Sequence, residues 1–131
     1  MSKTQIPGFK SKKYTRIPRR TEPKDAVNGR IWVEKDGELF MGGGRAMLLE
    51  HIDRLGSIAA AARVMKLGYR NAWLWIEAMN RLASTPLVEK TTGGVGGGQA
   101  RLTETGRKAL INYKELRVRF QDFVNRLNER S

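Results

Sequence analysis

The sequence has no cysteine and a single histidine, His51. Without cysteine there can be no disulfide and no thiolate metal site. A zinc site built on one histidine would need several carboxylates, and none are suitably clustered in the sequence. No acid or nucleophile is spaced to form a catalytic triad with His51. We therefore expect no enzymatic activity, no metal and no cofactor.

Long apolar runs and acidic residues are also scarce. No window approaches the roughly 20 apolar residues of a membrane span, and residues 1–20 contain no apolar run typical of a signal peptide. These absences predict a soluble, cytoplasmic protein with no membrane partner. Against 13 Asp and Glu stand 25 Lys and Arg, which gives 131 residues a net charge of +12. Such a surplus indicates a polyanionic partner, either nucleic acid or an anionic surface.

The positive charge is concentrated at the N-terminus. Residues 1–30 hold nine Lys and Arg, two acids and three of the four prolines, a composition that cannot bury enough apolar surface to order itself. We predict a flexible basic arm over residues 1–29 and one folded domain over 30–131. The arm either aids solubility alone or lies along a phosphate backbone, and its charge favours the second interpretation.

Local patterns predict the elements of the folded part. Two short apolar runs flank Asp36-Gly37, which indicates a β-hairpin. Gly42-Gly43-Gly44 is predicted to be a flexible joint after this hairpin. Apolar residues at helical spacing predict three short helices within 45–83. The last two helices are joined by a glycine turn at Leu67-Gly68, which is the spacing of a helix-turn-helix.

The stretch TTGGVGGGQARLT poses a choice between a phosphate loop and a hairpin. A Walker-type loop needs Lys and then Ser or Thr after its last glycine, whereas Gln99 and Ala100 follow here. Strands around 87–89 and 100–102 would make the glycines the turn of a wing, whose backbone can lie close to DNA. The alternative is a turn with no partner. The predicted wing residues are Lys90, Thr91, Thr92, Gly93, Gly94, Gly96, Gly97, Gly98, Gln99 and Arg101.

The C-terminal segment, residues 103–129, is predicted to be one long helix. Large apolar residues recur along it at nearly heptad spacing. We predict that this face pairs with a second copy of the chain, and the alternative is that it packs back on its own domain. The predicted interface residues are Tyr113, Leu116, Phe120, Phe123, Val124 and Leu127.

Two stretches, LGSIAAAARVMKLGYRNAWLWIEAMN and PLVEKTTGGVGGGQARLTETGRKAL, resemble a known family. They are similar to the N-terminal winged helix-turn-helix domain of the ModE-type molybdate-responsive regulators, a relative of the LysR-type DNA-binding domain. The similarity covers about residues 30–127. It implies a homodimer that binds a palindromic site in double-stranded DNA, with the third helix in the major groove, and regulates transcription.

The sequence departs from this family at two points. The molybdate- or tungstate-binding domains that follow in the full-length regulators would begin beyond Ser131. We therefore expect a domain without its own oxyanion sensor, for which a separate oxyanion-sensing protein would be a further partner. Gly68 stands where relatives often have a serine that would cap the recognition helix, and glycine is a cap weaker by a few tenths of a kcal/mol.

Together these patterns predict an α+β, mainly α fold: a winged helix-turn-helix with an N-terminal β-hairpin, a β-wing and a long C-terminal dimerisation helix. The N-terminal end of a recognition helix meets base edges first, so we predict base contacts there. Arginine can donate two hydrogen bonds to guanine, asparagine can pair with adenine, and an apolar side chain can touch a thymine methyl. The predicted readers are Tyr69, Arg70, Asn71 and Leu74, and the predicted backbone contacts are Ser57, Arg63 and Lys66.

Two other functions remain open at this stage. A non-specific, nucleoid-associated architectural protein would need only the charge, whereas a helix bearing Arg70 and Asn71 is suited to reading bases. A small adaptor that binds another protein would leave the net charge of +12 without a role. A sequence-specific transcriptional regulator is therefore the favoured prediction.

Overall fold

The computed structural model describes residues 25–91 and 99–129, and it confirms the predicted α+β class, with four helices and two antiparallel hairpins in these ranges. Residues 1–24 of the predicted arm, and Thr92, Gly93, Gly94, Gly96, Gly97 and Gly98 of the predicted wing, lie outside the described residues. The elements, in chain order, are β1 Val33–Lys35, β2 Glu38–Met41, α1 Gly43–Leu55, α2 Ile58–Val64, α3 Tyr69–Leu82, β3 Val88–Thr91, β4 Gln99–Leu102 and α4 Glu104–Glu129.

The first hairpin forms where the Asp36-Gly37 signal predicted it. Both residues have positive φ, 51° and 78°, as the two central residues of a type I′ turn require. The guanidinium of Arg45 on α1 donates to the carbonyl of Leu39 on β2 over 2.7 Å. The hairpin is therefore tied to the first turn of α1.

The prediction of a flexible joint at Gly42-Gly43-Gly44 is wrong. Helix α1 begins at Gly43, with Gly42 as its extended N-cap residue. A Cβ on Gly44 would lie 3.3 Å from the ring of Trp75 on α3. Glycine at this position lets α1 and α3 approach closely.

The helix-turn-helix consists of α2 and α3. Ser57 caps α2, because its hydroxyl oxygen accepts a 3.0 Å hydrogen bond from Ala60 N–H. The segment that joins the two helices includes Leu67-Gly68, as the sequence predicted. Lys66 has the positive φ, 56°, whereas Gly68 is the extended N-cap residue of α3, with φ −60° and no side-chain cap.

The wing strands are attached to the helix-turn-helix on both sides. On one side, Ala100 N–H of β4 donates to Gly56 O over 3.0 Å. On the other, the Asn80 amide on α3 accepts from Leu87 N–H at 2.8 Å and Val88 N–H at 3.2 Å, and donates to Val88 O at 3.0 Å. This three-bond contact fixes the base of β3 against α3.

Helix α4 starts directly from the wing. Thr103 N–H donates to Leu87 O over 2.9 Å, and the Thr103 hydroxyl donates to Pro86 O over 2.6 Å and accepts from Gly106 N–H at 3.0 Å. The helix passes so close to β3 that a Cβ on Gly106 would lie 2.2 Å from Leu87 O. Two ion pairs with α1, Lys114–Glu50 and Arg107–Asp53, attach the flank of α4.

A short extended segment, residues 27–31, lies along the far half of α4, and we call it the strap. The Asn128 side chain accepts from Val27 N–H at 2.7 Å and donates to Val27 O at 3.0 Å. The Tyr113 hydroxyl donates to Ile31 O over 2.8 Å. Val27 belongs to the predicted flexible arm, but it is held on α4 by these hydrogen bonds.

Candidate nucleic-acid interface

Helix α3 presents one apolar and one polar face. Ala72, Ile76 and Met79 are buried in the core. At about 100° per residue, Arg70, Leu74, Glu77 and Arg81 fall within about 60° of one another on the opposite side, and all four are exposed. Helix α3 therefore has the outward face that a recognition helix needs. Glu77, which we did not include among the predicted readers, shares this face.

The four predicted readers are all accessible. Tyr69 is 49% and Leu74 45% exposed, and the first turn of α3 also exposes Arg70 and Asn71. The Arg70 and Asn71 side chains make no hydrogen bond or ion pair with any other residue of 25–91 or 99–129. The Arg70 donors are therefore available for the two acceptors of a guanine, and the Asn71 amide is available both to donate to N7 of an adenine and to accept from its N6 amino group.

The three predicted backbone contacts lie on α2 and on the turn that follows it. The Ser57 oxygen is engaged as a cap, but its hydroxyl hydrogen remains to be donated to a phosphate. Arg63 in the last turn of α2 and Lys66 in the turn are exposed. Neither cation lies within ion-pair distance of an acid in the described ranges. Their charge is therefore not neutralised there.

Other cations are already paired. Arg101 on β4 contacts Glu89 on β3 over 2.7 Å, directly across the wing strands. Arg81 on α3 contacts Glu38 on β2 over 2.9 Å. The hydrogen bond from Arg81, together with its charge, lowers the pKa of Glu38 below its ordinary value. Arg101, predicted as a wing residue, therefore has its charge already paired with that of Glu89.

Lys90 makes a contact that the sequence did not predict. Its ammonium lies 4.5 Å from the centroid of the Trp73 ring on α3, within the range of a cation–π interaction. Neither residue type nor spacing pointed to this pairing. Gln99 is exposed and Thr91 is half-buried at the ends of the described wing strands.

A second cation–aromatic pair lies on the other side of α3. The Arg45 guanidinium is 6.0 Å from the Trp75 ring centroid. Burial lowers the pKa of Arg45 below its ordinary value. This pair joins α1, α3 and the first hairpin.

The predicted dimer residues fall into two groups. Tyr113 and Val124 are 3% exposed within the single chain, on the face of α4 that also carries the strap contacts. Leu116 and Phe120 are half-buried. Phe123 and Leu127 are 51% and 37% exposed. The last four form a continuous apolar stripe that becomes more exposed towards the end of α4.

Among the described residues, no group of three or more His, Asp or Glu side chains is placed to hold a metal ion. In the same ranges no helix has the length and apolar character needed to cross a membrane.

Comparison with known proteins identifies the helix-turn-helix. Residues 45–107 match the family described as bacterial regulatory helix-turn-helix protein, lysR family. This region of the chain is therefore similar to the lysR family. The match begins in the first turn of α1 and ends in the first turn of α4, so it contains α2, α3 and both wing strands.

Longer proteins, two of them named for molybdenum, are also similar to part of this chain. The chain is 45% identical over 86 residues to the molybdenum transport protein ModE of Azotobacter vinelandii, covering 66% of this chain and 32% of that protein. It is 42% identical over 81 residues to the molybdenum-pterin-binding protein MopA of Rhodobacter capsulatus, covering 62% and 31%. It is 42% identical over 76 residues to the DNA-binding transcriptional dual regulator ModE of Escherichia coli K12, covering 58% and 29%. The matched region spans about a third of the length of these relatives.

Proposed function

We propose that this chain is a sequence-specific, DNA-binding transcriptional regulator of the ModE/LysR type. The observation that carries the proposal is the outward face of α3. Arg70 and Asn71, both exposed and without side-chain partners in the described ranges, stand on its first turn within a lysR-family helix-turn-helix. The chain is not proposed to be an enzyme, since the relatives are named as regulators and binding proteins.

The proposed mode of binding places α3 in the major groove. Arg70 and Asn71 would form hydrogen bonds with base edges, and Leu74 would contact a thymine methyl. Tyr69 would lie where the helix enters the groove. Ser57, Arg63 and Lys66 would contact phosphates, which set the register of the protein on the duplex without reading sequence.

A homodimer is the proposed binding species. Leu116, Phe120, Phe123 and Leu127 recur at intervals of four, three and four residues, which is the heptad pattern of a coiled-coil seam. Phe123 is half exposed, and pairing with a second α4 would bury it. Two-fold pairing would present two recognition helices to a palindrome, with half-sites about 34–36 Å apart.

A connection to molybdate or tungstate metabolism is part of the proposal and rests on the names of the relatives. We propose a cytoplasmic, nucleoid-associated location, where its DNA target lies. Direct sensing would produce binding heat in isothermal titration with molybdate or tungstate. No heat with either anion would exclude direct sensing by this chain and leave the predicted separate oxyanion-sensing protein as the source of the signal.

The test of DNA recognition is selection of bound duplexes from a random pool, followed by titration against a scrambled duplex at physiological salt. A specific regulator selects a palindrome and binds it at least about 10³-fold more tightly than the scramble. Arg70→Ala should then relax the preference at one position of each half-site, with a loss of about 1–3 kcal/mol there. Arg119→Ala, which removes the same charge from an exposed position of α4, is the matched control and should leave the selected motif unchanged.

The second candidate function is a non-specific nucleic-acid-binding architectural protein. The net charge of +12 favours it, because phosphate neutralisation alone gives strong, salt-dependent binding. It predicts that selection yields no motif and that every duplex is bound with the same steep salt dependence. In that case Arg70→Ala and Arg119→Ala would weaken binding equally.

A further inference from the structure

The wing strand β3 is attached to the recognition helix at two separate places. At its base, Asn80 bonds to the backbone of Leu87 and Val88. Nearer the C-terminal end of β3, the Lys90 ammonium lies over the Trp73 ring at 4.5 Å. Trp73 and Asn80 are seven residues apart on α3, which is about two helical turns or 10 Å. Two attachments at this separation fix the angle between β3 and α3, whereas a single attachment would let β3 rotate about it.

The side-chain directions of the wing fit this arrangement. Neighbouring residues on a strand point to opposite faces. Lys90 faces α3, and Glu89 therefore points away and pairs with Arg101 across the wing. The cation that reaches the recognition helix is thus the one without an acidic partner in the described ranges, while the outward cation is neutralised.

We propose that Trp73 is a positioning residue for the wing: its ring holds Lys90, and through Lys90 the wing strands, at the angle at which the wing meets the DNA backbone beside the groove occupied by α3. The proposal rests on the proposed function. It assigns Trp73 no base contact. The cation–π contact orients a lysine whose charge is then presented to a phosphate.

The contact itself can be tested without DNA. Lysine methylene protons held over an indole face are shifted upfield by the ring current. Wild type and Trp73→Phe, which keeps an aromatic face, should show shifted Lys90 side-chain protons in NMR spectra, and Trp73→Leu should not. Ordinary Lys90 shifts in the wild type would overturn the proposal.

The consequence for binding is tested on two duplexes, the selected site with its flanks and the same site shortened to the base pairs under α3. Trp73→Leu should weaken binding of the long duplex by about two- to fivefold per bound protomer, the range expected for a cation–π contact at an exposed site. Binding of the short duplex should stay unchanged, and Trp73→Phe should restore the long-duplex affinity.

Lys90→Met keeps the side-chain length and removes the charge. It should reduce the slope of log affinity against log salt by about 0.9 per protomer. The double variant with Trp73→Leu and Lys90→Met should bind the long duplex no more weakly than Lys90→Met alone. Additive losses, or equal losses on both duplexes, would mean that Trp73 acts through helix packing and would overturn the proposal.

Trp75→Leu is the matched control, because Trp75 is also half-buried on α3 beside a cation, Arg45, but has no described contact with the wing. It should not change the ratio of long- to short-duplex affinity.

The two proposals fail in different ways. A wild type that selects no duplex refutes the proposed function, whereas a wild type that binds its duplex and a Trp73→Leu variant that binds equally well refute the positioning role.

Discussion

Gly106 offers the sharpest prediction of stability. An added methyl group would lie 2.2 Å from Leu87 O and 3.0 Å from Leu87 C, so α4 would have to move by about 1 Å to reach ordinary contact. Overpacking of this kind costs about 1–3 kcal/mol, and loss of the hydrogen bond from Thr103 N–H to Leu87 O would add about 1 kcal/mol. The higher helix propensity of alanine offsets about 1 kcal/mol. We expect Gly106→Ala to lower the free energy of unfolding by about 1–3 kcal/mol.

Denaturant unfolding at one protein concentration would measure this change, and thermal unfolding should show a midpoint lower by about 4–8 °C for each kcal/mol. Gly43→Ala is the matched control, because Gly43 is also in the first turn of a helix and the nearest atom to its added Cβ is the Tyr113 hydroxyl at 4.0 Å. That variant should be as stable as the wild type or more stable by up to about 1 kcal/mol. A Gly106→Ala protein as stable as the Gly43→Ala protein would show that the close approach of α4 to Leu87 is not required.

Three further changes test other contacts. Phe123→Glu should convert the proposed dimer to a monomer in analytical ultracentrifugation, because it puts a charge in the apolar stripe beside Leu127; a dimer of unchanged mass would place the interface elsewhere. Arg81→Gln should raise the pKa of Glu38 towards its ordinary value in a carboxyl NMR titration, since the hydrogen bond and charge of Arg81 hold it down. Because the folded-state pKa is lowered, the stabilisation from this pair is present at neutral pH and is lost as the pH falls through that pKa. Asn80→Ala leaves two backbone N–H groups without their acceptor and should destabilise the fold by about 1–3 kcal/mol for each, whereas Asn80→Asp, which keeps the accepting oxygen, should lose less.

The elements of the fold could be predicted because their signals are local. Neighbours within a few residues determine the Asp36-Gly37 turn, the buried positions of α3 and the glycine-flanked wing strands. The turn between α2 and α3 was the exception. Leu67-Gly68 indicated where the turn lies, but the residue with positive φ is Lys66, and nothing in a lysine signals that conformation.

The contacts between elements were less accessible to prediction. Helical spacing correctly indicated that Tyr113 and Val124 share an apolar face, but periodicity does not say what covers that face. The strap lies along it in the same chain, and the hydrogen bonds of Val27 with Asn128 join residues 101 positions apart. The contact of Lys90 with Trp73 was hidden for the same reason, because it depends on how the wing folds back on α3.

The direct passage from wing to α4 has a mechanical consequence. A single residue, Thr103, separates β4 from α4, and its hydrogen bonds to Pro86 and Leu87 leave no hinge at this junction. In the proposed dimer, the angle at which two α4 helices cross would therefore set the separation of the two recognition helices. A ligand or partner that altered this crossing angle would change the half-site spacing that the dimer accepts without touching any residue that contacts DNA.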